Sequence, residues 1–210
     1  MKNKTYGLVI SSYKYGHLAS HCIESVLCQT KKFDKIWFVD DGVGDCYFLE
    51  KLYPTIHFVF RKENYGVVKN FQDMLQKVDT DFVMFLGADN WLRADTLERL
   101  TYMKPHTDIV TFDVIVTGTL RHEIITTYPN EITKTMGDFY WSRKFKHHGS
   151  MLYNTKLALE SGGYANNFTS IRTDEDLNLW EKMIKRGATL SHVEEGLLYY
   201  RRHQENFYKY

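Results

Sequence analysis

Phe82-Val83-Met84-Phe85-Leu86-Gly87-Ala88-Asp89-Asn90 is the stretch on which the fold turns. Five apolar residues in a row, then two small residues and two hard polar side chains, fit a strand buried on both faces that ends in a polar turn. Working outward, the same pattern recurs. Residues 6–11 form a short apolar run that stops at Ser11, residues 36–39 stop at Asp40-Asp41-Gly42, and residues 56–60 form a third run that stops at Arg61.

Helical periodicity fills the gaps. Leu18, Ala19, Cys22, Ile23, Val26 and Leu27 share one face, as do Val68, Phe71, Met74, Leu75 and Val78 over residues 67–78. Asp95 is placed to cap a further helix carrying Leu97, Leu100 and Met103 and ending at Lys104-Pro105. Alternating strands and helices over residues 1–105 predict an α/β fold: a mainly parallel, Rossmann-like sheet with helices on both faces. Ligands of such sheets bind outside the carboxyl ends of the strands. Ser11, Asp40-Asp41 and Asp89-Asn90 fall there.

Beyond residue 105 the pattern changes to a smaller mixed subregion. Residues 109–116 predict a strand, with 121–127 pairing as a ribbon across Thr117-Gly118-Thr119. Residues 128–146 are polar and aromatic without a period. A short helix is expected over 155–161, ended by Gly162-Gly163, a stronger one over 174–185, and strands over 188–193 and 196–200. No repeat or flexible linker divides the chain. The expectation is one domain over 1–210, with a donor-binding half (1–105) and an acceptor and catalytic half (106–210).

Composition bounds the function. With 43% hydrophobic residues among 210, the chain can close one core. Its 27 basic and 26 acidic residues nearly cancel, so no overall field favours nucleic acid or an acidic membrane, and an anionic ligand must be held locally. Cys22, Cys28 and Cys46 form neither a disulfide framework nor a CxxC pair, which points to a reducing compartment. There is no signal-peptide pattern and no run of 18 apolar residues. The expected location is cytoplasmic, with peripheral access to the inner face of the membrane left open.

Each polar strand end has two readings. Asp40-Asp41 can organise a turn or hold a ligand; buried, each needs donors or a metal to stay charged. Asp89 beside Asn90 is a hard-oxygen set suited to Mg²⁺ or Mn²⁺ that also meets phosphate oxygens, or else a cap. Arg61 and Lys69 place positive charge where a diphosphate would gain from a helix N-terminus, and are equally at home on a solvated face.

Taken in order, these segments resemble the inverting nucleotide-sugar glycosyltransferases of family 2, which have the GT-A fold. Val9-Ile10-Ser11-Ser12-Tyr13-Lys14 resembles that family's first strand and nucleotide loop, and Phe38-Val39-Asp40-Asp41-Gly42-Val43-Gly44-Asp45 its "VVDDGSTD" segment. Glu63-Asn64-Tyr65-Gly66 followed by Lys69-Asn70 resembles "NxG…RN". Phe85-Leu86-Gly87-Ala88-Asp89-Asn90-Trp91-Leu92 resembles "FLDADDWL", with Gly87 and Asn90 in place of the outer aspartates. Leu159 to Tyr164 is similar to the segment before the acceptor loop, Glu175-Asp176-Leu177-Asn178-Leu179-Trp180 to "EDyeLW", and the tail from Tyr200 to Asn206 to "YRxHxxS".

The resemblance implies a transfer from a nucleoside diphosphate sugar, a UDP-sugar first, to a glycan, polysaccharide or lipid-linked hydroxyl, in the manner of a hexosyltransferase or N-acetylhexosaminyltransferase. It implies Asp176 as general base with Glu175 beside it, Asp89 and His203 as ligands of Mn²⁺ or Mg²⁺, and a donor site from Ser11, Tyr13, Asp40, Asp41, Arg61, Asn64, Gly66, Lys69, Ala88 and Asp89. Gly87 and Asn90 predict weaker ribose contact and metal affinity than the family norm. They also motivate an alternative, a non-catalytic nucleotide-sugar binding protein. A metal-dependent nucleotidyltransferase is a second alternative, for which the first strand-to-helix loop lacks an arginine. Tyr128, Phe139, Tyr140 and Trp141 are candidate stacking platforms for an acceptor sugar.

Overall fold

β1 (Tyr6–Ser12) lies at the heart of a sheet that orders all the chemistry. The computed structural model describes residues 3–103, 105–118, 123–125, 150–164 and 175–203. On one side of β1 lie β2 (Lys35–Asp40) and β3 (His57–Phe60), and on the other β4 (Phe82–Gly87), all parallel. The order 3-2-1-4 reverses direction at β1, so a crevice opens between the carboxyl ends of β1 and β4. Beyond β4 the sheet becomes mixed. β8 (Leu152–Asn154) pairs antiparallel with β4, followed by β6 (Ile109–Gly118), β9 (Leu190–Arg202) and the two-residue edge β5 (Trp91–Leu92), while β7 (Glu123–Ile125) pairs with β6.

Alternating side chains of each strand feed two cores. Leu8 and Ile10 of β1 pack with Ala19, Cys22, Ile23 and Val26 of α1 (Gly16–Leu27) and with Leu97 and Leu100 of α4 (Thr96–Met103). Val9 faces the other way, toward Met74 and Leu75 of α3 (Val67–Lys77) and Leu179, Trp180 and Met183 of α6 (Glu175–Lys185). Each such buried side chain contributes about 1.5–3 kcal/mol. α5 (Thr155–Glu160) covers the same second face and ends where the sequence places Gly162 and Gly163, both at positive φ.

Four elements differ from the sequence expectation. α2 (Tyr47–Leu52) carries no periodic signal because it buries Leu49 while leaving Tyr47, Phe48 and Leu52 exposed. β5 and β8 are too short to read as apolar runs; their neighbours in the sheet define them. The expected strands over 188–193 and 196–200 are one continuous β9, whose break at Gly196 is a bulge: Phe112 of β6 pairs with Val193 and Asp113 with Gly196. The ribbon partner expected near Arg121 is observed as β7. Tyr128, Phe139, Tyr140 and Trp141 lie outside the described residues.

Candidate functional site

The turn after β2 is built around its two carboxylates. Asp40 accepts from the backbone N–H groups of Val43 (3.0 Å), Gly44 (2.9 Å) and Cys46 (3.3 Å). Asp41 accepts from Tyr65 (3.0 Å) and Gly66 (3.1 Å), joining this turn to the start of α3. Both are buried. Burial, with the neighbouring Asp40 charge adding to it, raises the Asp41 pKa above the ordinary range, while the two N–H donors and Arg61 oppose the rise. The turn-organising reading is therefore realised for both residues, and most of Asp40's acceptor capacity is in use.

Asp40, Asp45 and Cys46 also lie within ligand distance of one another. Its atoms are already engaged within the protein: Asp40 accepts from its turn amides, Asp45 accepts from Gly16 N–H, and burial pushes the Cys46 thiol up to about 12, so an ion there would have to displace a proton and these bonds.

Ser11, Asn70 and Arg61 form a chain from the end of β1 through α3 to the residue after β3. Asn70 donates to Ser11 Oγ at 3.2 Å and accepts from Arg61, whose guanidinium also pairs with Asp73. Arg61 is thus held by protein partners, and Tyr65 lies under both Arg61 (4.7 Å) and the Lys69 ammonium (3.8 Å). Asn64 closes a local turn by accepting from Gly66 N–H. In the loop after β1, Tyr13 is 41% exposed and Lys14 has φ +67°, a conformation that costs a non-glycine residue about 1–2 kcal/mol. The one sequence signal for Asn70 is its place beside Lys69 in the segment that resembles "NxG…RN".

The turn after β4 is held differently. Ser11 pairs with Gly87 across the β1–β4 ladder, and Ala88, fully buried, donates its N–H to Ser11. Asp89 Oδ1 accepts from the Asn90 amide at 2.9 Å, and Asp89 Oδ2 lies 3.3 Å from His203 Nε2. His203 arrives at the end of β9, where Arg201 donates from its backbone N–H to Asn90 Oδ1 and from Nε to the Asp89 carbonyl, both at 2.9 Å. Two neighbouring ligand atoms of an octahedral ion at about 2.1 Å are about 3 Å apart, so the Asp89–His203 pair fits a shared divalent cation. The sequence placed these two together from residues 114 apart.

The third group is in the acceptor half. Asp176 lies in the first turn of α6, preceded by Glu175, and is 9% exposed. It shares a hydrogen bond with Tyr164, whose hydroxyl is 2.8 Å from that of Tyr153 in β8. Burial raises both phenols well above their ordinary range, and the Asp176 charge adds to this, so both remain protonated beside the carboxylate. This buried tyrosine pair was invisible as a functional feature, because each reads as an ordinary core aromatic.

A 3-2-1-4 sheet with polar groups gathered at its switch point, continued by a mixed half that returns its tail to the β4 turn, defines the GT-A class of fold. The chain belongs to glycosyl transferase family 2, whose profile matches residues 8–171. It is 25% identical over 193 residues to an uncharacterized glycosyltransferase of Haemophilus influenzae, covering 86% of this chain and 68% of that one. Among solved structures it resembles S. aureus TarS 1–349 in complex with UDP-GlcNAc (TM-score 0.75, 15% identity, 96% of this chain) and with UDP (TM-score 0.72, 15% identity, 94% of this chain). The chain spans 60% of the length of these two solved structures. Among the described residues, no helix is long and apolar enough to cross a membrane.

Proposed function

We propose that this chain is a metal-assisted inverting glycosyltransferase that moves a sugar from a UDP-sugar to a hydroxyl of a glycan or lipid-linked glycan. The observation that carries the reading is the meeting of Asp89 and His203 at the switch point of a family 2 domain. Complexes of TarS with UDP-GlcNAc and UDP support the nucleotide class. A single sheet running through both halves supports treating 1–210 as one domain.

In this reading Asp89 and His203 hold Mn²⁺ or Mg²⁺, which when bound offsets the charge of the departing diphosphate. Lys69 faces the same charge, while Ser11, Tyr13, Asp40, Asp41, Arg61, Asn64, Gly66 and Ala88 shape the donor pocket directly or through the turns they build. Asp176 takes the acceptor proton, and Glu175 adds negative charge at its side. The Tyr164 hydroxyl orients the Asp176 carboxylate. The reducing-compartment cysteine pattern supports a cytoplasmic setting.

Calorimetric titration of UDP with and without Mn²⁺ tests this, using wild type and Asp89→Ala, with Asp176→Asn as the control that binds donor but does not transfer. Binding that Mn²⁺ strengthens, with that gain lost in Asp89→Ala, is expected. No UDP binding in either condition would sink the proposal.

A further inference from the structure

Asn90 stands where the resemblance places an aspartate, and its environment requires a carboxamide. It is buried and uses both ends of its side chain: Nδ2 donates to Asp89 Oδ1, and Oδ1 accepts from the backbone N–H of Arg201. A backbone N–H only donates, so the orientation of the amide is determined by that partner. An aspartate here would still accept from Arg201 but would set a second negative charge against Asp89. A glutamine would be one methylene too long for the two distances.

Gly87 belongs to the same arrangement. A Cβ at this position would lie 2.7 Å from Asp89 Oδ1 and 3.1 Å from Asn90 Nδ2, so the Asp89–Asn90 pair folds back into the space a side chain would fill. The other side of the arrangement is β9. Arg201 donates to the Asp89 carbonyl and lies 4.6 Å over the Trp91 ring, which also stacks with Tyr199 at 5.1 Å and His21 at 4.7 Å. Two residues past Arg201, His203 faces Asp89 Oδ2.

We propose that Asn90 is a positioning residue that orients Asp89 toward a divalent cation by bridging its carboxylate to the β9 tail, and that Gly87 is its matched partner. One Asp89 oxygen is held by Asn90, which leaves the other directed to the His203 side. The two departures from the family pattern are then one coordinated change. This rests on the reading of Asp89 and His203 as ligands given above.

Asn90→Leu removes both hydrogen bonds at nearly constant volume, and Gly87→Ala displaces Asp89 Oδ1 from the other direction. Both are titrated as full chains with UDP, in the presence and absence of Mn²⁺, with thermal melting to show that they are folded. The expected result is an Mn²⁺-dependent gain in UDP affinity reduced about tenfold or more in each variant, with Mn²⁺-free UDP affinity unchanged. The double variant is expected to lose no more than the worse single one, because both act through Asp89. A merely structural role would move the Mn²⁺-free affinity as well. A wild-type-like Mn²⁺ response in Asn90→Leu, or equal losses with and without the ion, overturns this proposal alone. Absence of any Mn²⁺ response in the wild type overturns the ligand reading and this proposal together.

Discussion

Of the two neighbours of β1, β2 ends in Asp40 with Asp41 after it, and β4 is followed two residues past its end by Asp89 and Asn90; the two turns have opposite designs. After β2, Asp40 and Asp41 accept from five backbone N–H groups, three of them within the turn itself and two from the start of α3. After β4, the Asp89 carboxylate meets side chains, the Asn90 amide and the His203 ring. Backbone donors cannot move away without unfolding the turn, whereas side-chain partners can rotate to admit an ion or a phosphate. Similar strand-end chemistry thus divides into a turn closed on backbone amides and a turn whose carboxylate meets side chains, the latter being the one proposed to work in the site.

The sharpest way to break this contrast is to remove one carboxylate from each turn. Asp40→Ala leaves three N–H groups of a buried turn without their acceptor, at about 1 kcal/mol or more for each. A fall of about 3 kcal/mol in unfolding free energy is expected in urea melts. Asp89→Ala is expected to cost about 1 kcal/mol or less, because Asn90 keeps its bond from Arg201, while the Mn²⁺-dependent binding of UDP disappears. Equal stability losses in the two variants would remove the distinction.

Much of the working turn was legible in the sequence, and the reason is local. Residues 82–90 carry their strand and their polar end within nine positions, and the tail carries His203 next to two arginines. What joins them was not legible. The pairing of Trp91 with Tyr199 and of Leu92 with Leu198, which brings Arg201 onto Asn90, depends on the register of a two-residue strand that no periodicity announces. The bulge opposite Asp113 contributes to that register, and it reads in the sequence as a break between two strands. The closed turn was legible as alternatives only, because two adjacent aspartates look alike whether their donors come from a ligand, from amides three to six residues away as for Asp40, or from the distant start of α3 as for Asp41.

A smaller effect sharpens the contrast within the building turn. Asp41→Asn keeps one acceptor oxygen and loses the other, so one of the Tyr65 and Gly66 N–H groups loses its bond to this side chain, Gly66 keeping its second acceptor on Asn64. Burial already opposes the Asp41 charge, and removing that charge offsets part of the loss. A destabilisation of about 1 kcal/mol is expected, well below that of Asp40→Ala. The same substitution type is native at position 90, where the carboxamide has a carboxylate to donate to. A loss in Asp41→Asn as large as in Asp40→Ala would mean that charge, and not donor counting, governs this turn.

The smallest expected effect concerns how β9 is held before it reaches the working turn. Arg93 hydrogen-bonds Asp95 and Glu195 and donates to the Gly196 carbonyl at the bulge. Its bonds hold Asp95 below the ordinary carboxylate range, and those of Arg99 and then Arg93 do the same for Glu195. A depressed folded pKa contributes stability that is present above the unfolded value, near 4, and is lost as pH falls through the folded value. Arg93→Ala is therefore expected to flatten the acid limb of stability, measured by thermal melts from about pH 6 to about pH 3. Because Arg93 and its partners are about a third exposed, solvent screening limits the change to about 0.5–1 kcal/mol. If Mn²⁺-dependent UDP binding at neutral pH is unchanged in that variant, the β9 tail is set by Asn90, Arg201 and the Trp91 stack. If binding falls together with the acid limb, the ion pairs at the bulge also set the tail, and the working turn depends on contacts well beyond its own side chains.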